Sequence, residues 1–191
     1  MIVQTDPTAR RGWIDVAMFA LLVALGVLGR FAFLDTPNFT PTAAVGLFAG
    51  YYFRRKLVAA LVPFLVLAIS NLWLPLYASW EVGVVVFLAM LLPVALGRWL
   101  QQKTNLGRLA GAAVLPSLAF YLATNFAVWA FVGIYPHTWE GLVSCYVQAV
   151  PFYRWMLQAD LLFTASLFGC YALATRLAGA KWRREPVAAS A

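Results

Sequence analysis

Apolar stretches recur along the chain, separated by short segments that carry charged residues, prolines or both. Six of these stretches are candidate transmembrane helices, because about 20 apolar residues at 1.5 Å per residue cross the ~30 Å hydrocarbon core of a bilayer. Their predicted bounds are 13–34, 41–53, 57–74, 81–100, 109–134 and 154–177. The pattern therefore predicts an all-α membrane protein in which residues 13–177 form a single bundle of six transmembrane helices.

The second stretch departs from the others because residues 41–53 are too few to cross a bilayer unaided. It follows the polar segment 35–42, in which Pro37 and Pro41 disfavour a continuous helix. The stretch could be tilted, could start earlier, or could enter the membrane as irregular backbone that neighbouring protein or a water-filled cavity surrounds. The other alternative is a simple loop followed by a short helix. We predict a short or irregular second helix and leave these alternatives open.

Three segments of more than ten residues lie outside the predicted spans. Residues 1–12 and 178–191 are polar, and we expect both to lie in the cytoplasm. Residues 135–153 are only half apolar, and we expect an external segment there before the sixth helix begins at Arg154. No secretory signal peptide is expected, because the polar start leads into a full-length apolar stretch without a small-residue cleavage site.

Basic residues cluster in every second segment between the apolar stretches. Of the 14 Lys and Arg residues, all except Arg30 and Arg154 fall on one side of the six-span map. The residues on that side are Arg10, Arg11, Arg54, Arg55, Lys56, Arg98, Lys103, Arg108, Arg176, Lys181, Arg183 and Arg184. Because basic loops are retained in the cytoplasm, we predict a multi-pass protein of a bacterial inner membrane with both termini cytoplasmic.

Composition agrees with lipid as the surrounding solvent. The chain is 63% hydrophobic and only 11% charged, with a mean hydropathy of +0.80, whereas soluble domains are about 25% charged. The net charge of +7 is dispersed over loops and is not interleaved with aromatic residues. We therefore expect the lipid bilayer, and no nucleic acid, as a partner.

No catalytic or metal-binding motif is present in the sequence. A single histidine excludes a multi-histidine metal site, and HExxH, GxSxG, P-loop and CxxC patterns are absent. We predict that the protein is not an enzyme and has no cofactor and no bound metal. The alternative is a membrane-embedded enzyme or assembly factor that uses His137, Glu140 and Cys145.

Polar side chains inside the predicted spans are the strongest indication of a functional site. Arg30, Asn71 and Asn125 lie at positions where polar groups usually face a bundle interior or a cavity. Arg30 could instead reach the outer surface or pair with Asp35. The asparagines could instead form interhelical hydrogen bonds, worth about 0.6–2 kcal/mol each.

These residues and the aromatic residues of the external side predict an outward-facing pocket for a small, aromatic or planar ligand, because such sites combine aromatic walls with a few polar groups. An interfacial aromatic belt accounts for part of the set. The predicted substrate-binding residues are Arg30, Asn38, Asn71, Tyr77, Trp80, Asn125, Trp129, Tyr135, His137, Trp139 and Tyr146. Asp160 is expected near the outer end of the sixth span, in a structural ion pair with Arg154 or Arg30.

Small residues recur at helical spacing on the first span. Ala17, Ala20 and Ala24 lie on roughly one face, and such residues let another helix approach closely. Packing within the bundle is one explanation of this face, and docking of a partner helix is the other. A structural subunit that uses these faces for permanent association with a larger complex is a further alternative.

Several motifs are similar to an uncharacterised bacterial membrane family of the DUF6580 type. They are Asn38-Phe39-Thr40-Pro41 with the following AAVGLFAG, Asn125 with Trp129, the run YPHTWEGL at 135–142, Cys145-Tyr146 and Pro151-Phe152. The overall architecture resembles the substrate-binding S components of energy-coupling factor (ECF) transporters, which have six spans, an alanine-spaced first helix and a short second helix.

This resemblance implies uptake of a small molecule such as a vitamin, a cofactor precursor or a metal complex. The ligand would be captured from outside, and the alanines of the first helix would dock onto a transmembrane coupling protein driven by two cytoplasmic ATPases. Nickel and cobalt S components begin with Met-His, whereas Met1 is followed here by Ile2, which counts against that substrate class.

Overall fold

A computed structural model describes residues 7–182, with side chains described for residues 12–179. Over residues 7–182 the chain forms seven α-helices and no β-strand. They are α1 (Pro7–Ala32), α2 (Thr42–Tyr52), α3 (Lys56–Ser70), α4 (Trp80–Ala89), α5 (Leu91–Leu100), α6 (Leu106–Phe131) and α7 (Trp139–Trp182). The predicted all-α class is confirmed for this range. Because α1 begins at Pro7 and α7 ends at Trp182, both helices extend into the segments that were predicted to be polar flanks.

Four of the helical stretches are long and apolar enough to cross a membrane. They are Gly12–Ala32, Trp80–Leu100, which joins α4 and α5, Leu106–Phe131 and Trp139–Gly179. Their outer faces carry large exposed apolar side chains, such as those of Leu21, Leu88, Leu115 and Leu162. Such surface suits lipid tails and not water. The protein is therefore a helical membrane protein, with α2 and α3 as two shorter helices.

The short helix α2 lies in the middle of the bundle. It has 11 residues, and those from Ala44 to Gly50 are all buried. Its most extensive contact is with α5, and it also packs against α1, α3, α6 and α7. Gly50 and Gly97 make the α2–α5 approach possible, because a Cβ atom on either glycine would collide with the backbone of the other helix. The predicted short second helix is confirmed, and neighbouring helices supply its surroundings.

A proline interrupts the fourth predicted span. Helix α4 ends at Ala89, and α5 begins at Leu91. Pro93 has no N–H to donate to the carbonyl of Ala89, and its ring crowds that carbonyl. The two short helices therefore meet at Met90, whose N–H still bonds to the carbonyl of Val86 at 3.3 Å.

The last helix corrects the predicted start of the sixth span at Arg154. Helix α7 begins at Trp139 and has 44 residues, about 66 Å at 1.5 Å per residue. Gly141, Cys145 and Ala149 recur every four residues and are buried, so this part of α7 has a face of small residues. Because the overall hydropathy of the segment is low, the sequence did not indicate that face. Pro151 lies within the helix and does not end it.

Basic residues mark one end of the bundle, here called the basic end. The loop after α2 and the loop after α5 meet there, since Arg98 donates to the carbonyl of Arg54 at 3.0 Å. Gln101 likewise donates to the carbonyl of Tyr51 at 2.8 Å. The opposite end, here called the polar end, contains the 33–41 segment between α1 and α2 and the 71–79 segment between α3 and α4.

Candidate functional site

A cavity of about 210 Å³ opens between the helices on the polar-end side of α2. The first residues of α2 border it, and 11 helical residues cover only about 16 Å from the basic end. The cavity therefore begins one length of α2 away from the basic end and extends towards the polar end. Its polar lining comprises Arg30, Thr36, Asn38, Thr40, Thr42, Tyr77 and Asp160, and the remaining lining is mostly apolar.

Arg30 is fixed at the cavity wall by two side chains at the end of α3. Its Nη1 donates to the Ser70 hydroxyl at 2.7 Å and to Asn71 Oδ1 at 3.2 Å. The Asn71 amide nitrogen donates in turn to the Tyr77 hydroxyl at 3.3 Å. This chain of contacts places a guanidinium group and a phenol at the same cavity. The alternative of an Arg30–Asp35 ion pair is not observed among the described residues.

The segment between α1 and α2 lines the cavity with irregular backbone. Asn38 has φ 64°, a left-handed conformation that asparagine tolerates better than most residues. The Phe39 ring packs edge-on against Phe33 and Phe163, with centroids 5.0 and 5.8 Å apart. These aromatic contacts fix the segment between α1 and α7, and Asn38 lines the cavity.

The N-terminus of α2 opens onto the same cavity. Pro41 occupies the capping position, and no side chain caps the first backbone N–H groups. Thr42 and Ala43, in the first turn, line the cavity, and the Thr40 hydroxyl donates to the Thr42 hydroxyl at 3.1 Å. Uncapped N–H groups at a helix start carry partial positive charge. The helix start and Arg30 therefore both favour negative charge on a bound group.

Asp160 is the site residue that the sequence analysis missed. It was expected in an ion pair with Arg154 or Arg30, and that expectation is wrong. Asp160 is 3% exposed, lines the cavity, and accepts a hydrogen bond from the Ser117 hydroxyl at 2.6 Å. Because α7 begins 15 residues before the predicted start of the sixth span, Asp160 lies deep in the bundle instead of near a helix end.

Only some of the predicted binding residues reach this cavity. Arg30, Asn38 and Tyr77 line it, and Asn71 bonds to two of them. Trp80 is 76% exposed and Trp139 is 72% exposed, which suits positions at a membrane interface. Neither tryptophan lines the cavity.

A second group, here called the hairpin cluster, lies where α6 and α7 pack together. The Asn125 amide donates to the carbonyl of Tyr121 at 2.7 Å, and the Tyr146 hydroxyl donates to the carbonyl of Leu122 at 2.8 Å. The Trp129 indole N–H donates to the carbonyl of Pro136 at 3.0 Å.

Two more predicted residues belong to this region. The His137 ring lies edge-on to Trp129, with centroids 5.4 Å apart, and the half-buried Tyr135 lies in the connection between the helices. The Tyr146 hydroxyl thus joins α7 to α6 and the Trp129 indole joins α6 to the connection, whereas the Asn125 amide is satisfied within α6.

His137, Glu140 and Cys145 do not form a joint site in the described part of the chain. Cys145 is 2% exposed, and its thiol contacts the Asn125 carbonyl at 3.4 Å. His137 and Glu140 are exposed, and His137 contacts Trp129. Over the described residues, no group of three or more His, Cys, Asp or Glu side chains is placed to hold a metal ion.

The alanine face of α1 is not used inside the bundle. Ala17, Ala20 and Ala24 are all exposed, so the explanation that they pack internally is wrong. Helix α1 instead uses Gly26 and Gly29 for its close contacts, against Val66 of α3 and against Pro41.

Comparison with known proteins gives the family of the chain. Residues 11–183 match the model of a family described as a family of unknown function (DUF6580). The match covers most of the chain, which therefore belongs to this family. Neither the curated proteins nor the solved structures contain a significant match.

Proposed function

We propose that this protein is a membrane-embedded substrate-binding protein that captures a small molecule in the cavity on the polar-end side of α2. The observation that carries the proposal is the cavity itself. Arg30, Asn38, Tyr77 and Asp160 converge on a space of about 210 Å³ whose other walls are apolar. A few converging polar groups in a mostly apolar concave site are typical of small-molecule binding.

The distribution of charge supports an outward-facing cavity. Basic loops are retained in the cytoplasm, and the basic end carries Arg54, Lys56, Arg98 and Lys103. The cavity lies on the polar-end side of α2, so a ligand would enter from outside the cell. In this proposal the protein has six spans in a bacterial inner membrane, and α4 and α5 together form one of them. Both termini are then cytoplasmic.

Uptake would require a partner, because the chain has no nucleotide-binding P-loop. We propose an arrangement like that of ECF transporters, in which this chain is the S component and a transmembrane coupling protein with two cytoplasmic ATPases supplies the energy. The exposed face of Ala17, Ala20 and Ala24 supports this arrangement, because small side chains permit close approach of a second helix.

Binding can be tested with the purified protein in detergent or nanodiscs. We expect native mass spectrometry to find a bound small molecule, or a screen of vitamins, cofactor precursors and metabolites to find a ligand. Ala43→Phe fills the cavity and should abolish binding, whereas Ala123→Phe places the same ring on an exposed face of α6 and should not. Equal binding by the two variants, or no ligand for the unmodified protein, would contradict the proposal.

Docking can be tested separately in cells. A photo-crosslinking amino acid at position 20 should give a crosslinked product with a membrane protein of the coupling type. The same amino acid at position 115, exposed on α6, is the matched control. Crosslinks only to lipid, or equal products from both positions, would contradict docking through α1.

A further inference from the structure

Two side chains of opposite charge line the cavity without contacting each other. The contacts of Arg30 are with Ser70 and Asn71, and the contact of Asp160 is with Ser117. Arg30 is thus held against α3, and Asp160 is held against α6. The cavity lies between these two anchoring points, and both charges border it.

Arg30 keeps donors available for a ligand. Its guanidinium group has five N–H bonds, and its hydrogen bonds in the described part of the chain both use Nη1. The Nε and Nη2 donors have no partner among residues 12–179. A planar group with free paired donors is suited to carboxylate or phosphate oxygens.

Asp160 keeps an acceptor available. Oδ2 receives the Ser117 hydrogen bond, and Oδ1 has no hydrogen-bond partner within the described residues. The side chain is 3% exposed and lines the cavity, so the free acceptor is available on the cavity side. A carboxylate in such a place is costly unless a cation or several donors accompany it.

We propose that the cavity binds a small zwitterion, whose carboxylate or phosphate contacts Arg30 and whose protonated amine contacts Asp160. This inference rests on the proposed function, because it names the ligand class of the same cavity. A ligand with both groups gives each protein charge its missing partner in one binding event. The volume of about 210 Å³ is below the ~300–1,000 Å³ of typical ligand pockets, so the molecule is small.

Matched probes separate the two charges of the ligand. We suggest ω-amino acids with one to five methylene groups, each measured beside the carboxylate that lacks the amine, the amine that lacks the carboxylate, and the ω-hydroxy acid. Isothermal titration calorimetry on the purified protein should show that one amino acid binds at least about tenfold more tightly than its three analogues.

Two variants assign the contacts. The Asp160→Asn variant should bind the amino acid no more tightly than it binds the hydroxy acid. The Arg30→Gln variant should bind the amino acid no more tightly than it binds the amine that lacks the carboxylate. Tyr146→Phe, in the hairpin cluster, is the matched control and should keep the discrimination of the unmodified protein. Size-exclusion chromatography and thermal unfolding check that each variant is folded. If a variant is not folded, the proposal is judged from the unmodified protein alone, by whether it binds the amino acid more tightly than the three analogues.

The outcomes separate this inference from the proposed function. If a bound molecule is found that lacks an amine, or if the hydroxy acid binds as tightly as the amino acid, the zwitterion is excluded and the binding function stands. If no amino acid binds at millimolar concentration while another library compound does, the zwitterion is likewise excluded. If neither probes nor library bind, both proposals fail.

Discussion

The cavity and the hairpin cluster are both rich in polar and aromatic residues, yet their polar groups are used differently. In the hairpin cluster, Asn125, Trp129 and Tyr146 each donate to a backbone carbonyl a few ångströms away. At the cavity, Arg30 and Asp160 are each only partly satisfied by protein groups. The comparison teaches that the residue types of a membrane protein do not identify a site, whereas unused hydrogen-bonding capacity next to a cavity does.

The largest effect is expected from Gly141→Val, which tests the structural role of the hairpin. A Cβ atom at position 141 would collide with the Pro136 carbonyl, so the α6–α7 connection must shift. We expect a loss of about 3 kcal/mol of stability, which is in the upper range for single substitutions. Thermal unfolding in detergent measures it. Gly169→Val, where no atom lies near the added group, is the control, and equal loss in both variants would contradict the assignment.

Arg30→Gln tests the cavity side of the comparison. The substitution removes the charge that lines the cavity, and charge-assisted hydrogen bonds contribute about 1.5–3 kcal/mol each. We expect ligand affinity to fall about a hundredfold. Equilibrium binding measures the change, and Asn125→Ala in the hairpin cluster should leave affinity unchanged. A larger loss in Asn125→Ala than in Arg30→Gln would reverse the roles of the two regions.

Asn71→Ala should give an intermediate effect on binding. The amide joins Arg30 to Tyr77 without lining the cavity, so its loss leaves Arg30 held by Ser70 alone and frees the Tyr77 hydroxyl. We expect affinity to fall about tenfold, roughly one hydrogen bond to a charged group. The matched Gln148→Ala variant removes an exposed amide of α7 and should have no effect on binding.

The smallest effect is expected from Tyr146→Phe. It removes one hydroxyl that donates to the Leu122 carbonyl in the hairpin cluster. Hydrogen bonds between membrane helices contribute about 0.6 kcal/mol on average, so stability should fall by about that amount. Ligand affinity should be unchanged. A measurable loss of affinity without loss of stability would place Tyr146 in the binding site.

Much of the fold could be predicted from apolar periodicity alone. The second to fifth predicted stretches agree with the observed helical segments to within four residues at each end, and the fourth is divided into α4 and α5. Apolar runs have few alternatives to helices in a bilayer. The start of α7 was missed because its contact face is made of Gly141, Cys145 and Ala149, which are small residues and give weak hydropathy. A search for small residues at every fourth position would have found it.

The candidate site was predicted only in part, for a related reason. Arg30, Asn38, Asn71 and Tyr77 belong to it or adjoin it, because polar residues near the ends of spans converge at one end of a bundle. Asp160 was missed because its depth depends on where α7 begins. Asn125 and Trp129 were included because a sequence gives residue types and not hydrogen-bond partners.

The buried position of α2 also has a consequence for biosynthesis. An 11-residue helix is too short to be held across a bilayer by its own hydrophobicity. Its closest partner, α5, is translated more than 30 residues later, and the Gly50–Gly97 approach needs both helices. The final position of α2 is therefore reached only after α5 has left the ribosome. Truncated chains that end before α5 should expose α2 to proteases that do not cleave it in the complete protein.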